Sequence, residues 1–437
     1  MRVVAGGADN SPGRLRDCPG FGRVWTAATI SGFGSYVTTL AIQVLIVVTL
    51  HEGAGGVGLV SSARWLPYLL FGLLAGVLVE RSRRRPLLIA SDLGRGLLLI
   101  AVPLLALTHR LSLPVLMGFM AVFGLMSLVG DAAAQSFLPR VVPPHLLTAA
   151  NARLDQSDAV AQTCGPALAG GLISVLGAPV AVLIDAASYL TSALLLLRIP
   201  TVEPPRRPVS LRGIRAEATE GLRWVYSHPT LRPLALNTHG WFLCNAAAGA
   251  VLPPFALRTL GLSAFGLGVA MAVGGVGGLI GSLAATRLGA GFGAGRVVIA
   301  ARAGTAAAWL LVALSTTHWL GWALFAGAQL LVGLSMGAEN ANEMGYWQAA
   351  TPDALQARTN ATRRSTNRAM IVVGAPAGGF LADTLGYRAM LYTAAAGFLI
   401  VSATLAASRF RTARTTQLQC RNDLQTLRFR PPNPPPS

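Results

Sequence analysis

Apolar runs long enough to cross a bilayer follow one another along almost the whole chain. A spanning helix needs about 20 mostly apolar residues. We read twelve such runs, near 26–50, 56–79, 86–107, 113–136, 157–177, 179–197, 233–256, 263–286, 295–315, 318–340, 367–385 and 388–407. Only 12% of the 437 residues are charged and 53% are hydrophobic, whereas a soluble domain carries roughly 25% charged residues. That is too little charge to coat a water-facing surface. Several runs, such as 268–286 and 301–313, are rich in Gly and Ala, and small residues let helices in lipid pack backbone to backbone. The expected fold is all-α and polytopic, with the lipid bilayer as its main partner.

The chain has no Lys, so its 35 basic residues are all Arg. A phosphate-binding P-loop needs its Lys and Schiff-base catalysis needs a Lys amine, so an ATP-driven pump with its own P-loop is excluded, and an enzyme is not expected. Gly333-Leu-Ser335-Met-Gly337 fits a nucleophile elbow in letters only, because that motif needs a strand before it and here it lies within an apolar run. The four cysteines, Cys18, Cys164, Cys244 and Cys420, are far apart and lack metal spacing. We expect no cofactor and no metal.

The net charge of +18 would suit nucleic acid, but the Arg residues sit in short segments between apolar runs, where topology explains them better. The even-numbered loops carry Arg81, Arg83, Arg84, Arg85, Arg140, Arg153, Arg206, Arg207, Arg287, Arg296, Arg358, Arg363 and Arg364, among others, whereas the odd-numbered loops hold little beyond Arg110, Arg258 and Arg388. The positive-inside rule then predicts a multi-pass protein of a bacterial inner membrane with both termini and the even loops in the cytoplasm. The first 20 residues have no apolar h-region, so the first span is expected to serve as an uncleaved insertion signal.

Residues 199–232 form the one long polar insertion, reading as a Pro-rich linker followed by an amphipathic helix around Glu217, Glu220, Arg223 and Trp224. It separates a bundle at 26–198 from a bundle at 233–407, between a 1–25 leading segment and a 408–437 tail whose composition argues for disorder. The halves echo each other. Ala169-Gly170-Gly171 returns as Ala377-Gly378-Gly379 at an offset of 208, and Leu176-Gly177 as Leu385-Gly386 at 209. A shared offset is the mark of a repeat, and two six-helix halves in parallel repeat are a secondary-transporter architecture.

Between the second and third runs lies Gly76-Val-Leu78-Val-Glu80-Arg81-Ser-Arg83-Arg84-Arg85. It resembles the signature loop of the major facilitator superfamily, Gly-x-Leu-Ala-Asp-Arg-x-Gly-Arg-Arg, with Glu for Asp and Arg83 in place of the Gly. The resemblance covers about 20–407 and is closest to the bacterial drug and siderophore exporter branch, which includes the enterobactin exporter and macrolide efflux proteins. Phe21-Gly-Arg23-Val-Trp25, the pair Asp92 and Arg95, and Ala186-Ala-Ser188-Tyr189 look like that branch. The resemblance implies twelve transmembrane helices in two six-helix repeats, and a gate made by Gly76, Glu80, Arg81, Arg84, Arg85 and Asp131, although Arg83 and Arg85 are also accounted for by topology alone. A second copy around Gly281 and Arg287 lacks the acid.

Carboxylates inside lipid are expensive and mark function. Asp131 and Glu339 share a repeat position, Glu343 lies one turn beyond, and Asp185 sits in the sixth run. These four are the proton-coupling candidates, with Asp131 expected to be held by Arg84; a structural ion pair of the glutamates with Arg363, Arg364 or Arg368 is the competing reading. Gly165-Pro166-Ala-Leu-Ala-Gly170-Gly171 resembles the antiporter motif with one extra residue, a helix kink flanked by close-packing glycines. A pocket needs aromatic walls and a few polar groups. Its candidates are Tyr36, Gln43, Trp65, Trp241, Asn245 and Gln329, with Trp241 equally placed to anchor at the interface.

The sequence thus points to an exporter of a small amphipathic molecule, expected to be monomeric and coupled to protons, with a facilitator or importer on the same fold, or a non-transporting sensor, as the other readings. The Arg distribution makes one direct prediction. In a chain stripped of its own cysteines, a Cys placed at Ser210 will react with an impermeant maleimide only after the cells are opened; labelling in intact cells would reverse the topology.

Overall fold

The computed structural model describes residues 13–18, 20–80, 82–199 and 214–414. Twelve long helices and one short one follow in order: α1 (Phe21–Val44), α2 (Ala54–Glu80), α3 (Arg84–Leu107), α4 (Leu113–Val141), α5 (Leu147–Leu176), α6 (Ala178–Leu197), α7 (Ile214–Ser227), α8 (Leu231–Pro254), α9 (Ala264–Phe292), α10 (Ala294–Leu314), α11 (Trp319–Ala350), α12 (Asp353–Leu385) and α13 (Tyr387–Ala406). Ten of the described helical stretches are long and apolar enough to cross a membrane. Helices α2 and α12, of 27 and 33 residues, share that length class and lie between the two halves.

Within each half the neighbours are the same. In the first, α1 packs on α5 and α6, α2 on α4, and α3 on α4 and α6; in the second, α8 packs on α12 and α13, α9 on α11, and α10 on α11 and α13. Two pairs dominate the join between the halves, α2 with α12 and α5 with α9, and α2 also touches α8. Setting α1 against α8 and so on through α6 against α13 turns one joining pair into the other, so the halves are related by an approximate two-fold. Local details repeat with it. A π-helical turn, Leu45–Thr49, closes α1 and another, Phe255–Thr259, closes α8. The α5–α6 and α12–α13 junctions turn on Gly177 and Gly386, at φ of 81° and 92°, a backbone region that L side chains rarely adopt.

Two spans begin earlier than the apolar runs indicated. The fifth starts at Leu147 rather than 157, and the eleventh at Asp353 rather than 367. Hydropathy marks only the apolar length of a helix, and the added turns, 148–156 and 358–366, carry charged residues such as Arg153, Asp155, Arg358, Arg363 and Arg364. The amphipathic helix expected in the linker is α7. Its Val225, Trp224 and Tyr226 pack with Leu231, Tyr346, Trp347 and Phe410, and Arg358 of α12 donates to Glu220. The outward faces of the bundle are apolar, with Val175 83% and Leu283 81% exposed.

The seam between α9 and α11 explains the elbow-like Gly333-Leu-Ser335-Met-Gly337. A Cβ on Gly333 would strike the carbonyl of Gly274, and one on Gly337 the carbonyl of Gly278. Those glycines let two backbones touch, the usual way helices associate where lipid is as apolar as the side chains. Because the obstruction is backbone, Gly333→Ala should cost about 1–3 kcal/mol through a forced shift of the helices. Gly327, on the same helix, has open space around it, so Gly327→Ala should leave the melting temperature of the purified protein unchanged or raised. Equal melting temperatures for the two variants would contradict the seam.

Candidate functional site

The halves are sealed at the end of the bundle away from the described chain termini. Asp383, near the end of α12, accepts the amides of Ala54 (2.9 Å) and Gly55 (2.8 Å) and so caps α2 across the interface. Ser62 Oγ donates to the Val372 carbonyl at 2.6 Å, and Arg258 Nη2 donates to the Val47 carbonyl at 2.8 Å. On the two-fold-related pair, a Cβ on Gly170 would meet the Ala264 carbonyl oxygen at 2.5 Å, and one on Gly268 would strike the carbonyl of Pro166. The kink motif therefore lies at this seal. Helix α5 runs continuously through Pro166, Gly165 backs onto Tyr36, and Gly171 faces Phe265.

Two cavities open further towards the face that carries the chain ends. A smaller one of about 220 Å³ lies between α2, α4 and α12, lined by Tyr68, Asp131, Gln135, Arg364, Ser365 and Arg368. A larger one of about 350 Å³ lies in the second half, lined by Thr238, Trp241, Phe242, Met336, Glu339, Glu343, Met344, Arg363, Arg364 and Asn367. Arg364 borders both.

Against the larger cavity sits a buried charge cluster. Arg302 of α10 has no exposed side-chain surface. Its Nε donates to Glu339 Oε1 at 2.8 Å, and its Nη2 donates to Glu343 Oε2 at 2.9 Å and to Thr238 Oγ1 at 2.8 Å. Thr238 in turn donates to Glu343 Oε1 at 3.0 Å, Trp347 Nε1 reaches the same oxygen at 3.3 Å, and Arg363 Nη1 stands 3.5 Å from it. Two carboxylates thus face two guanidinium groups. Glu339 Oε2 and Arg302 Nη1 are buried without a hydrogen-bond partner among the described residues, an arrangement rare enough to call for a function. Next along α8, His239 Nδ1 bonds Asn367 Oδ1 at 2.8 Å and His239 Nε2 bonds the Tyr226 hydroxyl of α7 at 2.7 Å. With Asn367 Oδ1 accepting, the ring proton sits on Nδ1 and Tyr226 donates to Nε2. Burial raises the Tyr226 phenol above its usual value, which keeps it a donor.

The first half has a related cluster with a different pairing. Arg95 of α3 and Arg302 of α10 occupy equivalent helices, but Arg95 bonds Asp92 on its own helix and lies 4.3 Å from the Tyr189 ring centroid. Ser192 donates to Asp92 at 2.6 Å, and Tyr189 bonds Ser35 at 3.0 Å. So the Asp92, Arg95 and Tyr189 stretches noted in the sequence converge. Asp185 is wholly buried and accepts from Ser188 at 2.8 Å, against Gly34. Asp131 is exposed to the smaller cavity and accepts from Tyr68 at 2.6 Å, where Arg84 was expected to hold it.

Of the gate residues, Arg84 is half-buried in the first turn of α3, and Arg85 donates to the Leu196 carbonyl at 3.0 Å and to that of Leu197, capping α6. The surroundings of Gly76, the side chain of Glu80 and the whole of Arg81 lie outside the described residues. Among the pocket candidates, Trp241 lines the larger cavity and Trp65 carries the Arg368 guanidinium 3.9 Å from its ring centroid. Tyr36, Gln43 and Asn245 are half-buried on α1 and α8, and Gln329 is buried beside Gly274 in the α9–α11 seam. Sequence reasoning missed Arg302, Thr238 and His239. The signal for Arg302 was present, since it lies seven residues inside the apolar run 295–315, where a guanidinium is costly.

Two homologous six-helix bundles, closed on one face and hollow towards the other around buried arginine–carboxylate clusters, define a secondary transporter of the major facilitator fold. The family model described as transmembrane secretion effector matches residues 16–430, and the chain belongs to that family of multi-span membrane transporters. It is 28% identical over 276 residues (63% of this chain, 67% of the relative) to the uncharacterized MFS-type transporter y4rN of Sinorhizobium fredii. It is 31% identical over 221 residues to the multidrug efflux pump Tap of Mycolicibacterium fortuitum, a match that covers 48% of this chain and only about half, 53%, of the relative. Its fold superposes on a crystal structure of a variant of the nucleoside transporter NupG with a TM-score of 0.73 at 11% identity, covering 88% of this chain and 98% of that one.

Removing one partner of a buried ion pair strands the other charge and costs about 3–5 kcal/mol. Arg302→Leu should therefore lower the melting temperature of the detergent-purified protein sharply, and the combined Arg302→Leu, Glu339→Gln, Glu343→Gln protein should recover most of the loss. No recovery in the triple variant would show that Arg302 supports the fold by packing alone.

Proposed function

We propose that this transporter exports a small amphipathic molecule, such as a drug, antibiotic or other natural product, from the bacterial cytoplasm by proton antiport with alternating access. In this reading the face carrying the chain ends is cytoplasmic, and the structure is the state closed to the outside. The observation that carries it is the cavity at Glu339. The wall beside the apolar Trp241, Phe242 and Met336 is a carboxylate whose Oε2 has no partner among the described residues. A proton on that oxygen removes one of two negative charges facing Arg302 and Arg363, and its loss restores both. Because that exchange changes how strongly α10, α11 and α12 hold together, proton occupancy and helix arrangement are linked, as coupling requires. The efflux activity of Tap supports the outward direction.

The gate residues Gly76, Glu80, Arg81, Arg84 and Arg85 fit the same scheme as an interlock at the cytoplasmic ends, with Asp131 and Asp185 as secondary proton sites. Neither a metal nor another cofactor is needed, since a proton gradient supplies the work. The test is substrate accumulation in an efflux-deficient host. Expression should lower cellular accumulation of an amphipathic drug or dye, and an uncoupler should abolish the difference. In reconstituted vesicles Glu339→Gln should lose gradient-driven accumulation while retaining downhill exchange. An expression effect that survives the uncoupler, or an intact response to an imposed pH gradient in Glu339→Gln, would overturn the proton-antiport reading.

A further inference from the structure

On α12, Arg364 borders both cavities and Arg368, one turn further on, borders the smaller one, while Arg64 of α2 shares the Trp65 ring with Arg368. The Arg368 guanidinium lies 3.9 Å from the Trp65 ring centroid and 5.6 Å from that of Tyr68. Arg64 approaches the same Trp65 ring at 5.9 Å and Phe123 at 5.5 Å, and donates to Thr39 at 3.2 Å. Among the described residues, no carboxylate lies within ion-pair distance of Arg64, Arg364 or Arg368; the described ion pairs involve other arginines. The smaller cavity has one acid on its wall, Asp131, which accepts from Tyr68. In the larger cavity Glu339 and Glu343 are matched by Arg302 and Arg363. The two walls, which share Arg364, therefore carry an excess of positive charge, centred on Arg364 and Arg368.

An uncompensated cation between membrane helices is costly. Aromatic faces hold such a group in place and orient its donors without neutralising it. A guanidinium kept this way presents its remaining N–H groups to whatever enters the cavity, in a fork that matches a planar oxyanion. The neighbouring surface in the larger cavity, Trp241, Phe242, Met336 and Met344, is apolar and, through its methionines, adaptable in shape.

Resting on the export reading above, we propose that the transported molecule is an amphipathic anion whose carboxylate or equivalent oxyanion is held between Arg364 and Arg368, with its apolar body against Trp241, Phe242, Met336 and Met344. Arg64 adds to the field that draws the anion in, and Asp131, held by Tyr68, opposes it weakly from the far wall. This selection of charge runs opposite to that of a site built on unpaired carboxylates, which takes cations.

The test uses the full-length protein in neutral phosphatidylcholine vesicles with two planar aromatic probes of opposite charge, 5-carboxyfluorescein and ethidium. Binding is read from quenching of tryptophan emission, and movement from accumulation under an imposed pH gradient. Charge-assisted hydrogen bonds contribute enough that carboxyfluorescein should bind about tenfold or more tightly than ethidium. The Arg364→Gln, Arg368→Gln double variant should lose that preference. The Arg364→Lys, Arg368→Lys variant, which keeps the charge without the fork, should recover part of it, and shows that a loss in the Gln variant is not misfolding. Equal or tighter ethidium binding, or binding of neither probe, overturns the anion site, and so does a preference that survives both Gln substitutions. If ethidium alone is pumped, the export reading stands and the anion proposal falls. If carboxyfluorescein binds with the stated Arg dependence but does not move with the gradient, the site stands and the export reading falls.

Discussion

Close backbone approach along α2, α5, α9 and α12 carries the association of the two bundles. In hydrocarbon there is no hydrophobic drive to bring one helix against another, so contact must come from dispersion between small residues and from hydrogen bonds. Gly58 against the Ala375 carbonyl and Gly268 against the Pro166 carbonyl supply the first, and Asp383 on the amides of Ala54 and Gly55 supplies the second. The glycine contacts are stiff, because backbone meets backbone. The Asp383 cap is a set of hydrogen bonds to one carboxylate that breaks as a unit. An interface of this kind has two natural states, engaged or released, rather than a continuum.

The charges follow the same division. In the second half they are buried, paired and nearly complete, with one carboxylate oxygen left over on Glu339. Between the halves they lie open to the cavities, with arginines held on Trp65 and Tyr68 instead of on acids. The first arrangement suits a proton and the second suits an anion, and Arg364 borders both spaces. The proton and the anion proposed above would therefore meet across one helix, α12, whose far end bears Asp383. That helix joins the sites to the seal, and α7 is tied to its middle through Tyr226, His239 and Asn367 and to its opposite end through Glu220 and Arg358.

The helical architecture was legible in the sequence because apolar length and Arg asymmetry are strong signals of a membrane bundle, and the motif around Gly76 and Glu80 pointed to the family. The polar first turns of α5 and α12 were not, since hydropathy is silent about helix that extends beyond lipid. Matching depth for Asp131 and Glu339 could be read from the repeat offset, yet their partners could not. Asp131 bonds Tyr68 while Glu339 bonds Arg302, because local pairing depends on which way each helix is turned. Helices α8 and α11, which carry Trp241 and Gln329, have no sharply polar face, so periodicity does not tell which side looks inward. Gln329 therefore reads as a pocket residue but is buried in the α9–α11 seam, whereas Trp241, chosen on the same grounds, does line a cavity.

The central claim is that the seal at Asp383 opens and closes as the halves rock about the cavities. Spin labels at His51 and Thr384, exposed positions flanking that seal on opposite halves, measure it directly by pulsed electron resonance in vesicles. The account predicts a short distance that gives way to a second, longer one when the proton gradient is imposed, with Asp383→Ala shifting the population towards the longer distance in its absence. A single distance, unchanged by the gradient and by Asp383→Ala, would contradict it.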